Sequence, residues 1–161
     1  MYREILTKAI IAKGDNQIFN QETIKTNKDI SKVLGCWIIN HKYEINCTNN
    51  IVKIIGQFDA FLWYGFNNNT DSDLIKKTFT YQSDIPYNFT IESYPIDDKC
   101  EIKSYIINEP SCKSMTFSND DISIEYVLKV AIDIIGETKI KIKVDDVIID
   151  DNIDINYMKD K

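Results

Sequence analysis

The chain has 161 residues, a net charge of −6, and 43% hydrophobic against 27% charged residues, enough for one domain with a real core. Its acidity and scattered lysines argue against a nucleic-acid binder, which needs clustered cations to meet phosphates. No apolar run approaches the roughly 20 residues of a membrane-spanning helix, and the start, MYREILTKAIIAKG, lacks the unbroken apolar stretch and cleavage site of a signal peptide.

These features predict a cytoplasmic protein without membrane insertion. In that reducing setting Cys36, Cys47, Cys100 and Cys112 are expected as free, buried or idle thiols; none is spaced as C-x-x-C. The Asn-x-Thr triplets at Asn46, Asn68 and Asn88 are then chance matches in an Asn-rich chain.

Residues 2–12 fit a helix face (Tyr2, Ile5, Leu6, Ala9, Ile10) and a strand face (Ile5, Thr7, Ala9, Ile11) equally well. Strand is preferred because the rest of the chain is β in pattern. Residues 12–16 (AKGDN) have turn composition and 17–25 read as a short strand. The segment NKDISKVL, 27–34, reads as one short helix near 28–34: Asn27 or Asp29 can cap it, Ile30, Val33 and Leu34 share a side, and Gly35 ends it. CWIINHKYEI, 36–45, is a strand, and 46–50 (NCTNN) a turn.

The stretch Ile51–Phe66 organises the reading. At the two-residue period of a strand, Val52, Ile54, Gly56, Phe58, Ala60, Leu62, Tyr64 and Phe66 form one uncharged face. The other face starts mixed and turns aromatic at Phe61 and Trp63. A strand apolar on both faces must be covered on both, by its own chain or by another molecule. The cluster Phe61, Trp63, Tyr64 and Phe66 therefore has three readings, in order of preference: core on both faces, a self-association surface, or a platform for stacking carbohydrate.

A polar loop at 67–71 should turn the chain into a returning strand at 74–82. Residues 84–91 contain Pro86, which predicts an edge, a bend or a strand start. Turns are expected at Pro95 with Asp97 and Asp98, and at 118–121; a strand at 101–108 should stop at Pro110. Residues 122–135 give the cleanest alternation, with Ile122, Ile124, Tyr126, Leu128, Val130, Ile132 and Ile134 inward and Ser123, Glu125, Lys129 and Asp133 outward. A turn at Gly136 and Glu137 should precede a last strand with Ile140, Ile142 and Val144 inward. The whole is an all-β, antiparallel β-sandwich or flattened barrel: a single assembly domain over 1–145 and a short acidic C-terminal tail over 146–161.

No catalytic constellation is visible. The lone His41 reads as a surface or packing histidine, and the paired aspartates sit in turns or the tail as solvated carboxylates. There is no phosphate-cradling glycine loop and no zinc spacing, and 145–154 lacks the ligand spacing of a calcium loop. No enzyme activity, cofactor or metal site is expected.

Several segments together resemble the outer spore-coat morphogenetic protein E family (CotE) of endospore-forming bacteria: YREILTKAIIAKG, LGCWIINHKYE, VKIIGQFDAFLWYGFNNNTD, INEPSC and IIGETKIKIKV, in order from Tyr2 to Val144. The Ile-, Lys- and Asn-rich composition suggests a clostridium-like source. The resemblance implies a non-enzymatic scaffold, made in the mother-cell cytoplasm, that multimerises around the forespore and recruits outer-coat proteins. Its partners would be copies of itself and other coat proteins. Relatives often carry a long acidic tail, whereas here the tail is short and interspersed with Ile, Val and Lys. The candidate self-assembly surface is Phe61, Trp63, Tyr64 and Phe66, with Tyr2 and Ile5 on an edge strand able to pair with another chain.

Overall fold

The computed structural model describes residues 1–91, 96 and 99–143. Every regular element among them is a strand: β1 (Tyr2–Lys25), β2 (Ile30–Thr48), β3 (Ile51–Phe66), β4 (Asp71–Asp84), β5 (Tyr87–Phe89), β6 (Glu101–Ser118) and β7 (Asp121–Lys143). They form two antiparallel sheets that pack as a sandwich, with strand orders β5-β1-β7-β6 and β2-β3-β4.

The chain divides into two compact units. The larger, Ile10–Gly136, holds the core. The smaller comprises Met1–Ala9 and Glu137–Lys161, of which 2–9 belong to β1 and 137–143 to β7. Tyr2, Ile5 and Leu6 are exposed there, as is Ile142, which the alternation places inward. Val144 and the rest of the tail lie outside the described residues, as do the side chain of Ile140 and the turn expected at Pro95, Asp97 and Asp98.

The core follows the two cleanest period-2 stretches. On β3, Val52, Ile54, Phe58, Ala60, Leu62 and Tyr64 are buried; on β7 all seven inward positions from Ile122 to Ile134 are. The two faces meet where the Phe58 and Tyr126 rings contact edge to face, 4.7 Å between centroids. Phe79 and Tyr81 of β4 pack on the same Phe58 ring. Thr23 facing Ser123 and Lys13 facing Asp133 show that β1 and β7 run antiparallel.

Asparagine makes the turns. Eight described residues adopt positive φ, and all are Asn: Asn27, Asn40, Asn49, Asn50, Asn67, Asn68, Asn69 and Asn119. Asparagine tolerates this left-handed backbone better than other residues with a side chain. Asn49 and Asn50, both left-handed, form the two-residue turn that matches the twist of the β2–β3 hairpin. Glycine is used instead for close approach. A Cβ on Gly56 would overlap the Tyr81 ring, and one on Gly136 would lie 2.9 Å from Ile11 Cδ1.

Four local expectations are corrected. Residues 28–34 are not helical: Asn27 turns the chain at φ 63° and β2 starts at Ile30. Register shifts between Ile30 and Lys32 and between Val33 and Gly35 insert extra residues, so the inward positions fall at Ile30, Val33 and Cys36. That three-residue spacing imitates a helix face. Residues 12–16 are strand, not turn, and the alternation changes phase where Ile11 and Ala12 are both buried. The chain does not stop at Pro110. β6 runs through it on the edge of its sheet, with register shifts on either side of Asn108 that leave the proline out of the ladder. Gly136 lies within β7 rather than in a turn, its missing side chain leaving room for Ile11.

Candidate functional site

Residues directly opposite on antiparallel strands share a face. On β2 and β3, Trp37 lies opposite Phe61, Gly35 opposite Trp63 and Ile39 opposite Asp59; on β4, Leu74 lies opposite Trp63 and Lys76 opposite Phe61. All belong to the outer face of the three-stranded sheet, since the intervening β3 residues Ala60 and Leu62 are fully buried.

The Trp37 and Trp63 rings stack, with centroids 6.3 Å apart and planes 23° from parallel. Gly35 makes this possible. Lying between them with no side chain, it lets the Trp37 ring spread to within 3.6 Å of where a Cβ would be. Trp37 is 51% exposed, Trp63 41%, Leu74 51% and Ile39 48%. Two half-exposed indoles beside exposed aliphatics on one sheet face make an apolar patch of the kind that marks an interaction site.

A polar knot bounds the patch. Asp59 accepts hydrogen bonds from the Thr78 hydroxyl at 2.6 Å and the Asn40 amide at 3.0 Å, and pairs with Lys76 at 3.7 Å. These partners, the Thr78 hydroxyl foremost, hold its carboxyl below the usual range. Asp73 is depressed likewise, first by the Leu74 backbone N–H and then by Lys28. A carboxylate depressed in the fold contributes stability above its unfolded value and loses it as the pH falls through its folded one. Stability in urea is therefore expected to hold steady from pH 7 to about 5 and to decline below about pH 4. Asp59→Asn should flatten part of that decline, as followed by fluorescence midpoints against pH.

The sequence candidates divide by parity. Phe61 and Trp63 lie on the outer face, Phe61 half-buried between Trp37 and Lys76. Tyr64 does not belong to the surface: it is 1% exposed, within the core, because it sits on the opposite parity from Trp63. Phe66, on the same side as Tyr64, is half-buried under the Lys28 ammonium, 4.0 Å from the ring centroid. Tyr2 and Ile5 are 67% and 44% exposed in the smaller unit. Sequence reasoning missed Trp37, Ile39 and Leu74. The alternation Gly35, Trp37, Ile39 was present as a signal, but the flanking register shifts hid which face it occupied.

His41 is a packing histidine. At the register shift between Ile39 and Lys42, left-handed Asn40 directs it inward; its side chain is 8% exposed. One ring nitrogen bonds the Tyr81 hydroxyl and the other meets Glu109 at 3.0 Å. Burial pushes the Tyr81 hydroxyl well above its ordinary value. Among the described residues no group of three or more His, Cys, Asp or Glu is placed to hold a metal ion, and no helix is long and apolar enough to cross a membrane.

Comparison with curated proteins found no match, and comparison with solved structures found none either. The family model for outer spore coat protein E (CotE) matches residues 1–161, the whole of the sequence. The chain therefore belongs to the outer spore coat protein E (CotE) family, and is a spore coat protein.

Proposed function

We propose that this coat protein is a non-catalytic building block that self-assembles by apolar contacts between copies and recruits other outer-coat proteins to the layer. It would be made in the mother-cell cytoplasm and laid down around the forespore. The observation that carries the reading is the stacked Trp37–Trp63 pair, half exposed among Ile39 and Leu74 on the outer face of one sheet. Such a surface is an aggregation hazard on a monomer and an anchor on a subunit. A second copy offers the same apolar face, and an isologous contact would set the two patches against each other.

A layer needs at least two distinct contacts per subunit. Residues 2–9, an exposed strand segment carrying Tyr2, Ile5 and Leu6, supply a candidate for the second. The test is sedimentation of the purified chain across a concentration series, with negative-stain microscopy of the heaviest fraction. Concentration-dependent growth into sheets or fibres supports the reading. A strictly monomeric species at high concentration overturns it, and glycan binding by that monomer would pass the patch to the carbohydrate reading.

A further inference from the structure

The two sheets meet along a seam between their edge strands β2 and β6. Reading down β2, His41 meets Glu109 at 3.0 Å and the Tyr43 hydroxyl meets the Ser104 hydroxyl at 3.3 Å. The two edges thus run antiparallel, side chain to side chain. Continued the other way along β2, the seam brings Cys36 to Cys112, near enough for each thiol to perturb the other. Register places both inward: Cys36 lies opposite Leu62 and Cys112 opposite Tyr126, each fully buried. Both cysteines are half-buried, within reach of a small solute from the seam.

We propose that Cys36 and Cys112 are an oxidisable pair that a peroxide closes into a disulfide, stapling β2 of one sheet to β6 of the other. The pair is already asymmetric. The neighbouring Cys36 thiol draws Cys112 below its ordinary value, and Cys112 raises Cys36 in turn. Cys112 is therefore the attacking thiolate. Its sulfur forms a bond to one peroxide oxygen as the O–O bond breaks, and the departing hydroxide takes a proton to become water. The Cys36 sulfur then attacks the Cys112 sulfenic acid; the S–S bond forms, the S–O bond breaks, and a second water leaves with the Cys36 proton. Two electrons from the sulfurs reduce one peroxide to two waters.

The staple closes a long stretch of chain, so it stabilises chiefly by restricting the unfolded state. It lies on the inner seam, away from the outer aromatic patch, and does not depend on whether copies associate.

The experiment treats the full chain, at a dilution where it sediments as its smallest species, with one equivalent of hydrogen peroxide. Remaining thiols are then alkylated under denaturing conditions and the protein is mass-mapped. The expected product is a single chain about 2 Da lighter before alkylation, with Cys36 and Cys112 joined and Cys47, which is exposed, still alkylated. Its melting temperature should rise by about 10 °C and fall back on reduction. Cys36→Ser should abolish both changes and leave Cys112 trappable by dimedone; Cys47→Ser should alter neither. Recovery of Cys36 and Cys112 both alkylated, or joined to other cysteines, overturns the proposal. The wild-type map decides this even if a variant fails to fold.

Discussion

Trp63→Lys, alone and combined with Trp37→Lys, is expected to abolish assembly while leaving a folded monomer. Both rings lie on the outer face, half exposed, so the fold loses only their mutual stack and part of their burial, about 1 kcal/mol. An interface built around them loses far more. A buried aromatic anchor is typically worth about 2 kcal/mol or more, and a lysine also brings an unpaired charge into the contact. Each substitution should weaken association at least about 30-fold, read as a shift of the sedimentation profile to the smallest species. Leu62→Lys is the matching control, one residue along on the fully buried face; it should unfold the chain. If Trp63→Lys also leaves no folded monomer, Trp63 serves the core and the assembly reading of the patch fails.

Phe58→Ala should cost about 3 to 5 kcal/mol of stability. The Phe58 ring is wholly buried and touches the rings of Phe79, Tyr81 and Tyr126, the last from the opposite sheet. Removing it leaves a cavity where the two layers meet, and strands of both sheets must move to fill it. Against a typical total of about 5 to 15 kcal/mol, that is a large share. A urea titration should show a much lower midpoint with an unchanged slope. Phe61→Ala, on the same strand but the other parity, should cost much less. Equal losses from the two would mean that β3 is buried alike on both faces.

These two experiments divide one strand by parity, and parity is what the sequence carried best. β3 and β7 hold an unbroken two-residue alternation over 51–64 and over 122–135, and every inward position so assigned between Ile122 and Ile134 is buried. A strand that carries no bulge of its own needs no knowledge of its partner, because the pleat alone assigns the faces. The same alternation returned Tyr64 to the core, although the aromatic run around it read as one cluster.

β2 and β6 were harder for one shared reason. Each carries register shifts, at Ile30/Lys32, Val33/Gly35 and Ile39/Lys42 in the first, and around Asn108 and Cys112 in the second. An extra residue reverses every face beyond it. The inward set Ile30, Val33, Cys36 therefore resembled a helix, and Pro110 resembled a strand end. Whether a bulge forms depends on the partner strand's hydrogen bonds, which are not local to the segment.

The sequence by itself determined an all-β chain, its β3 and β7 core faces and the family to which it belongs, because those reside in local alternation and in contiguous words of residues. Only the tertiary structure decided that Trp37 joins Trp63, that His41 turns inward to Tyr81, and that Cys36 meets Cys112. Each of these depends on which strands lie side by side and on where a bulge shifts them, and that is settled by packing between segments distant in the chain.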